Sequence, residues 1–328
     1  MSLKLTTLAL ALTTVLSTSF AVQAEFPEKP ITIVIQAAPG GSTDTSARIV
    51  SERLSALLGQ QIIVENKPGG GTIIGTEVVA KAKPDGHTIL LTPAAMIANA
   101  AFGVAVPYDI DKDLIPIMSF VDLPMLLAAS NTAPFKSVAE LIAWSKAPSS
   151  TGPGRTISYA SSGVGALTHL WGEYIKARTG MPLEHVGYKG SAEALRDVIA
   201  GHVPLFADVL VPTATAVRTG QIRGLAVAMA QRSELLPDVP TVAEAGLPGT
   251  EGTVPFGISV PGGTPASVVM KLNTAFNEAL GEPTIRRKLL ELGFVPVGGA
   301  PQAYVAVLAN EIEKWRKVIK DSKIPPPT

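Results

Sequence analysis

The chain predicts an α/β protein built as two domains, and three observations carry that expectation. Short β-rich runs alternate with helix-like runs along most of its length, the pattern of βαβ units and largely parallel sheets. Setting aside the first 24 of 328 residues leaves about 304, more than one core usually holds. Hydrophobic residues make up 46% and charged residues 16%, so two cores are readily filled.

The N-terminus reads as a secretory signal peptide over residues 1–24. Lys4 supplies a positive start, Leu5–Ala21 is apolar with many Ser and Thr, and Val22-Gln23-Ala24 is a small-residue cleavage site. That apolar part is too short and too hydroxyl-rich for a retained membrane helix, so the mature chain is expected to be exported and soluble. Ile31–Gln36 then predicts a strand, Asp44–Leu58 a helix, Gln61–Glu65 a strand, Ile73–Lys81 a helix and Thr88–Thr92 a strand. A strand at Met125–Ala129 follows, then a helix over Ser137–Lys146, where Ser137 and Glu140 have capping-box spacing. Ala147–Arg155 is a Ser/Pro/Gly-rich loop. Strands at Ile157–Ala160, Leu183–Val186, Pro204–Ala207 and Gly224–Val227 alternate with helices at Leu167–Thr179, Ala192–Ala200 and Val211–Arg218. Thr241–Ala245 predicts a short helical turn and Phe256–Val260 a strand. Helices over Ala266–Leu280, Pro283–Leu292 and Pro301–Lys320 complete the chain. Two βα blocks followed by a helical stretch imply a discontinuous first domain, residues 25–124 with 252–328, enclosing a second, residues 125–251. A ligand would sit between them, at the carboxyl ends of the strands.

Composition excludes several functions. With 27 basic and 27 acidic residues and no basic block, nothing favours nucleic acid or an anionic membrane. Cysteine is absent, which removes thiol catalysis and thiolate metal sites. His87, His169, His185 and His202 lack metal-ligand spacing, so neither a metal nor another cofactor is expected.

The most informative segment is Pro39-Gly40-Gly41-Ser42-Thr43-Asp44, a glycine-rich turn between a strand and a helix. The first N–H groups of a helix lack partners, and with the helix dipole they favour an anion. No Lys-Ser or Lys-Thr pair at nucleotide-loop spacing and no G-x-G-x-x-G accompanies it, so a small carboxylate suits it better than a nucleotide. Two further turns share this design: Thr92-Pro93-Ala94-Ala95 and Ser161-Ser162-Gly163-Val164-Gly165. Taken singly, each such turn is more often only a turn; together they could clamp a carboxylate from both sides of a cleft. Asp44 is better placed to pair with Arg48 at i, i+4 than to catalyse. His169 reads as a packed or capping histidine ahead of a ligand. The Tyr188-Lys189-Gly190-Ser191 junction is equally consistent with a surface turn and a cleft wall. Asp208 ends a strand, as acceptor for a ligand's donor or as a hinge hydrogen bond. No G-x-S-x-G elbow and no glycosidase-like acidic pair is present, which leaves an enzyme as the minority reading.

The succession of these segments is similar to a known family. "KPITIVIQAAPGGSTDTSARIV", "YASSGVGALTHLWGEYI", "HVGYKGSAEALRDVIAGHVPLFAD" and "GQIRGLAVAMAQRSELLPDVPTVAEAGLPG" occur in order across nearly the whole mature chain. They resemble the Bug (TctC-type) substrate-binding receptors of tripartite tricarboxylate transporters. The resemblance implies a periplasmic, two-lobed Venus-flytrap fold of type II kind. It also implies capture of a small carboxylate for a membrane permease, without catalysis or cofactor, by a protein expected to be monomeric. Carried onto this chain, the ligand contacts fall on Gly40, Gly41, Ser42, Thr43 and Asp44, with Thr92 and Ala94 nearby. The opposite lobe would contribute Ser161, Ser162, Gly163, Gly165, His169, Tyr188, Gly190, Ser191 and Asp208. The chain departs from the usual pattern at Ala37-Ala38, Ala166 and Val209. Smaller residues at the first two would leave room for a larger or more apolar acid, such as an aromatic carboxylate.

Overall fold

The computed structural model describes residues 25–148 and 155–327. The expected signal peptide, and residues 149–154 of the loop after the capping-box helix, lie outside the described residues. The first block runs β1 (Ile31–Ile35), α1 (Ser42–Leu58), β2 (Ile62–Asn66), a 3-10 turn at Gly70–Thr72, α2 (Ile73–Ala80), β3 (Thr88–Thr92) and α3 (Ala94–Phe102). The long strand β4 (Leu114–Ser130) leads to α4 (Val138–Lys146), β5 (Ile157–Ser161), α5 (Leu167–Thr179), β6 (Leu183–Gly187), α6 (Ser191–Ala200), β7 (Leu205–Val209), α7 (Leu210–Arg218) and β8 (Ile222–Val227). The chain closes with β9 (Thr253–Pro261), α8 (Ala266–Gly281), α9 (Pro283–Glu291), β10 (Val295–Gly298) and α10 (Pro301–Ser322).

The strands join in the order β2-β1-β3-β9-β4-β7-β5-β6, with β8 and β10 also paired to β4. Within each βα block the pairs are parallel: β1 with β2 and β3, β5 with β6 and β7. The largely parallel sheet expected from the sequence is corrected here to a mixed one. Strands β4 and β9 run antiparallel to their neighbours, because they carry the chain between the two halves of the sheet. From Leu114 to Pro124, β4 pairs with β9; from Met125 onward it pairs with β7 and β8.

Three elements differ from the sequence reading. The strand expected at Met125–Ala129 is only the second half of a 17-residue strand. Pro116 and Pro124 disguise its first half, and the register with β9 shifts between Pro116 and Met118, where a residue without an N–H is tolerated. Helix α3 and strand β10 were not expected. The short turn expected over Thr241–Ala245 is present, closed by the Ala245 N–H on Thr241 O at 2.9 Å and tied to β8 by the Val227–Thr241 bridge.

Packing follows from periodicity. Helix α1 buries Ala47, Val50, Leu54 and Leu58 at three- and four-residue spacing, and it ends at Gly59, whose φ of 68° is a left-handed cap. Each large aliphatic side chain buried this way contributes about 1.5–3 kcal/mol relative to exposure. Helix α10 packs on β4, on α3 of the first block and on α5 of the second, so it spans both halves. Among the described residues no helix is long and apolar enough to cross a membrane.

Candidate functional site

Strand register places the site. Thr92, at the end of β3, pairs with Gly257, and β9 runs from there back to Thr253, opposite Pro124. Val209, at the end of β7, pairs with Met125. The carboxyl ends of both parallel sets therefore point toward the Pro124–Met125 junction, and the helices that follow those strands start on that side of each half. All six, α2 included, start without a side-chain cap, as do α8, α9 and α10, and five of them follow the turns singled out in the sequence. Their N-cap residues are Gly41 for α1, Pro93 for α3, Ala166 for α5, Gly190 for α6 and Val209 for α7. Helix α4, which starts at the far end of its half, is capped by Ser137, whose hydroxyl accepts the Glu140 N–H at 3.1 Å. The first-turn N–H groups of an uncapped helix are open to an anion where the turn faces a cleft.

In the first loop Gly40 takes a φ of 82°, and its N–H donates to Asp44 Oδ2 at 3.0 Å. Asp44 also accepts Arg48 Nε at 3.0 and 2.9 Å, so its carboxylate is spent on holding the turn. The Arg48 hydrogen bond, ahead of the Gly40 N–H, holds that carboxyl below its usual range, against a burial effect that pushes the other way. Asn66, at the end of β2, donates to Ala37 O at 3.0 Å and braces the same turn. Gly41 is exposed, and Ser42 and Thr43 are half-buried at the start of α1. Thr92 is buried, with its hydroxyl 2.8 Å from Ser259 Oγ, and Ala94 opens α3.

The second loop rests on two imidazoles. His169 Nδ1 accepts the Gly165 N–H at 3.1 Å, so the ring's proton sits on Nε2. His185 Nε2 stands 2.7 Å from Ser161 Oγ, and the two rings stack at 3.8 Å between centroids. Burial brings both down to about 4, with Lys176 adding to the effect on His169 and His169 itself on His185. Both are therefore neutral near pH 7. Ser162 Oγ bonds Thr168 Oγ1 at 2.6 Å. Gly163 has a φ of 155°, and Gly165, with a φ of 78°, packs against Pro327 beyond α10. In the third junction Tyr188 donates to Asp197 Oδ2 at 2.7 Å, Gly190 holds a φ of 148°, and Ser191 opens α6. Asp208 is fully buried at the end of β7.

The sequence reading missed Asn66, Thr168 and His185. His185 is 24 residues from Ser161 and meets it only because β5 and β6 pair in parallel register, Ser161 opposite Gly187. Asn66 carried a visible signal, an amide at a strand end before Lys-Pro-Gly-Gly-Gly. Among the described residues no cluster of acidic and histidine side chains could hold a metal ion.

Two βα halves joined by a shared strand, with strands of both ending toward one junction, have the two-lobed fold of periplasmic binding proteins. Residues 46–324 match the tripartite tricarboxylate transporter family receptor, TctC, and the chain belongs to that family. It is 37% identical over 318 residues to the UPF0065 protein in the tcbD-tcbE intergenic region of a Pseudomonas species, covering 97% of this chain and 93% of that one. The structure of R. palustris Rpa4515 with adipate is similar at 35% identity and a TM-score of 0.81, over 92% of this chain and 100% of that one. MatC from Rhodopseudomonas palustris with bound malate is similar at 30% identity and a TM-score of 0.75, over 90% and 100%.

Proposed function

We propose that this protein captures a small carboxylate, most favourably a dicarboxylate, between its lobes and delivers it to the membrane permease of a tripartite transporter. The observation that carries the reading is that the strands of both halves end toward one junction and are followed there by the open first turns of α1, α3, α5, α6 and α7. Backbone N–H groups and helix dipoles suit a carboxylate without needing a lysine or arginine. The adipate and malate held by two similar structures support the same chemistry. On this reading residues 25–124 and 252–328 form one lobe and 125–251 the other, with β4 and β9 as the connections. Gly41, Ser42, Thr43, Ser162 and the start of α5 contact the ligand, whereas Asp44, Thr92, Ser161 and His169 hold the loops. The mature protein works as a monomer in the periplasm after cleavage near Ala24, and transport needs no cofactor.

A thermal-shift screen tests this. Protein unfolded and refolded to strip any passenger should gain melting temperature with adipate, malate or an aromatic acid, and should not consume it. No shift with any of these acids, against a clear shift with sugars or amines, would reject the proposal.

A further inference from the structure

We propose that Asp208 engages the ligand as a neutral carboxylic acid, donating its Oδ2 proton to the second carboxylate of a dicarboxylate, so that capture is linked to proton uptake. This rests on the carboxylate-receptor reading and names its substrate class: an acid with an acceptor at each end, not one bearing an ammonium group.

The geometry begins with an unpartnered atom. Asp208 is 0% exposed, Oδ1 accepts the Val209 N–H at 2.7 Å, and Oδ2 is buried without a hydrogen-bond partner. The carboxyl lies where α6 and α7 start, after Gly190 and Val209, and Ser191 at the head of α6 faces it. Its ladder neighbour on β4 is Leu126, and Phe206, two residues earlier, packs in the apolar cluster under α6 and α7.

No cation neutralises it. Helix α6 carries Glu193 and Arg196, both exposed, and Asp197, which is bonded to Tyr188. Helix α7 has only Arg218, at its far end, and Lys189 in the loop before α6 is exposed. Across the sheet, α5 contributes His169, Glu173 and Lys176, and β5 contributes Tyr159, bonded to Glu173. Strand β4 has no titratable residue from Met125 to Ser130. None of these side chains forms an ion pair with Asp208 among the described residues.

A buried carboxylate with no counter-ion, with the Val209 N–H as its one hydrogen bond and with the Ser191 hydroxyl nearby but outside hydrogen-bond geometry, is costly, and taking a proton is the cheaper state. Burial raises this carboxyl to about 7, although the Val209 N–H and Ser191 pull in the other direction. Because Oδ1 already accepts a hydrogen bond, the proton belongs on Oδ2, which then becomes a donor without an acceptor. A ligand oxygen brought to the two helix starts supplies one, as a charge-assisted O–H···O bond. An ionised Asp208 would repel the same group. Above pH 7 the free carboxyl must therefore regain a proton from solvent in order to bind.

Calorimetry decides the matter, with adipate and malate as dicarboxylate probes and hexanoate as a single-ended control, between pH 6 and 9 in two buffers of different ionisation enthalpy. The expected result is a dicarboxylate Kd that rises toward tenfold per pH unit above about pH 7.5, with uptake of up to one proton per ligand, and a flat profile for hexanoate. Asp208→Asn keeps a donor that does not titrate and should flatten the dicarboxylate profile. Dicarboxylate binding without pH dependence or proton uptake overturns the proposal and leaves the receptor reading intact. Tighter binding at pH 9 than at pH 6 overturns it too, because an anionic Asp208 would then be required. Failure of all three acids at every pH rejects the receptor reading and this inference with it. The wild-type profile and proton count suffice if the variant does not fold.

Discussion

Two glycines separate backbone strain from ligand access. At Gly165 the φ is 78°, and an added Cβ would stand 2.8 Å from Cγ of Pro327. Gly165→Ala should cost about 1–3 kcal/mol in stability, read as a lower melting temperature, and should weaken binding as well. At Gly41 the φ is −71°, and a Cβ would meet only Ala38 O, at 3.4 Å. Gly41→Val should leave the melting temperature nearly unchanged but weaken ligand binding by roughly tenfold or more, because the added methyls occupy the approach to the first turn of α1. Equal affinity of Gly41→Val and wild type by calorimetry would remove that turn from the site. Asp44 adds a pH test. Its folded carboxyl is held below the ordinary value by Arg48 and the Gly40 N–H, so its contribution to stability is present near neutrality and is lost as pH falls through and below the usual carboxylate range. The stability gap between wild type and Asp44→Asn, measured by urea unfolding, should narrow steadily from pH 6 to pH 3. The pairing of Asp44 with Arg48 was legible in the sequence, because four residues on a helix is one turn. The His169–His185 stack was not, since it depends on the register of two strands.

Helix α4 isolates what a cap contributes where no ligand competes for it. Ser137→Ala should cost about 1 kcal/mol by denaturant unfolding and leave ligand affinity unchanged, because α4 starts away from the junction. A loss of affinity in that variant would contradict the placement of the site at the junction, away from the start of α4. The elements that were legible in the sequence are those with unbroken periodicity, such as α1, α5, α10 and β3. Those that were not have a local disguise. Strand β4 carries two prolines, α3 is mostly alanine and follows Pro93, and the four residues of β10 end in Gly298, with Gly299 next. Strand β10 is held by its pairing to β4 at Asp122, Val121 and Ser119, a tertiary contact with no local signal.

At the scale of the whole molecule, β4 runs from one half to the other, β9 lies beside its first half as far as the junction, and α10 spans both. Closure about that junction should shrink the particle. Small-angle scattering should show the radius of gyration, about 19 Å for a compact chain of this length, falling by a few per cent when a dicarboxylate is added to stripped protein. An unchanged radius at saturation would mean that ligand enters without lobe closure. The sequence by itself determined the α/β class, the succession of strands and helices within each block and the glycine-rich turns. These depend on side-chain period, β-branching and the left-handed freedom of glycine, all of which act over a few residues. Only the tertiary structure decided that the sheet is mixed, that the strands of both blocks end toward one junction, and that Asp208 is buried with one oxygen unpartnered. Strand pairing brings together residues distant in the chain, and burial is a property of everything packed around a group, so neither is written in the residues next to it.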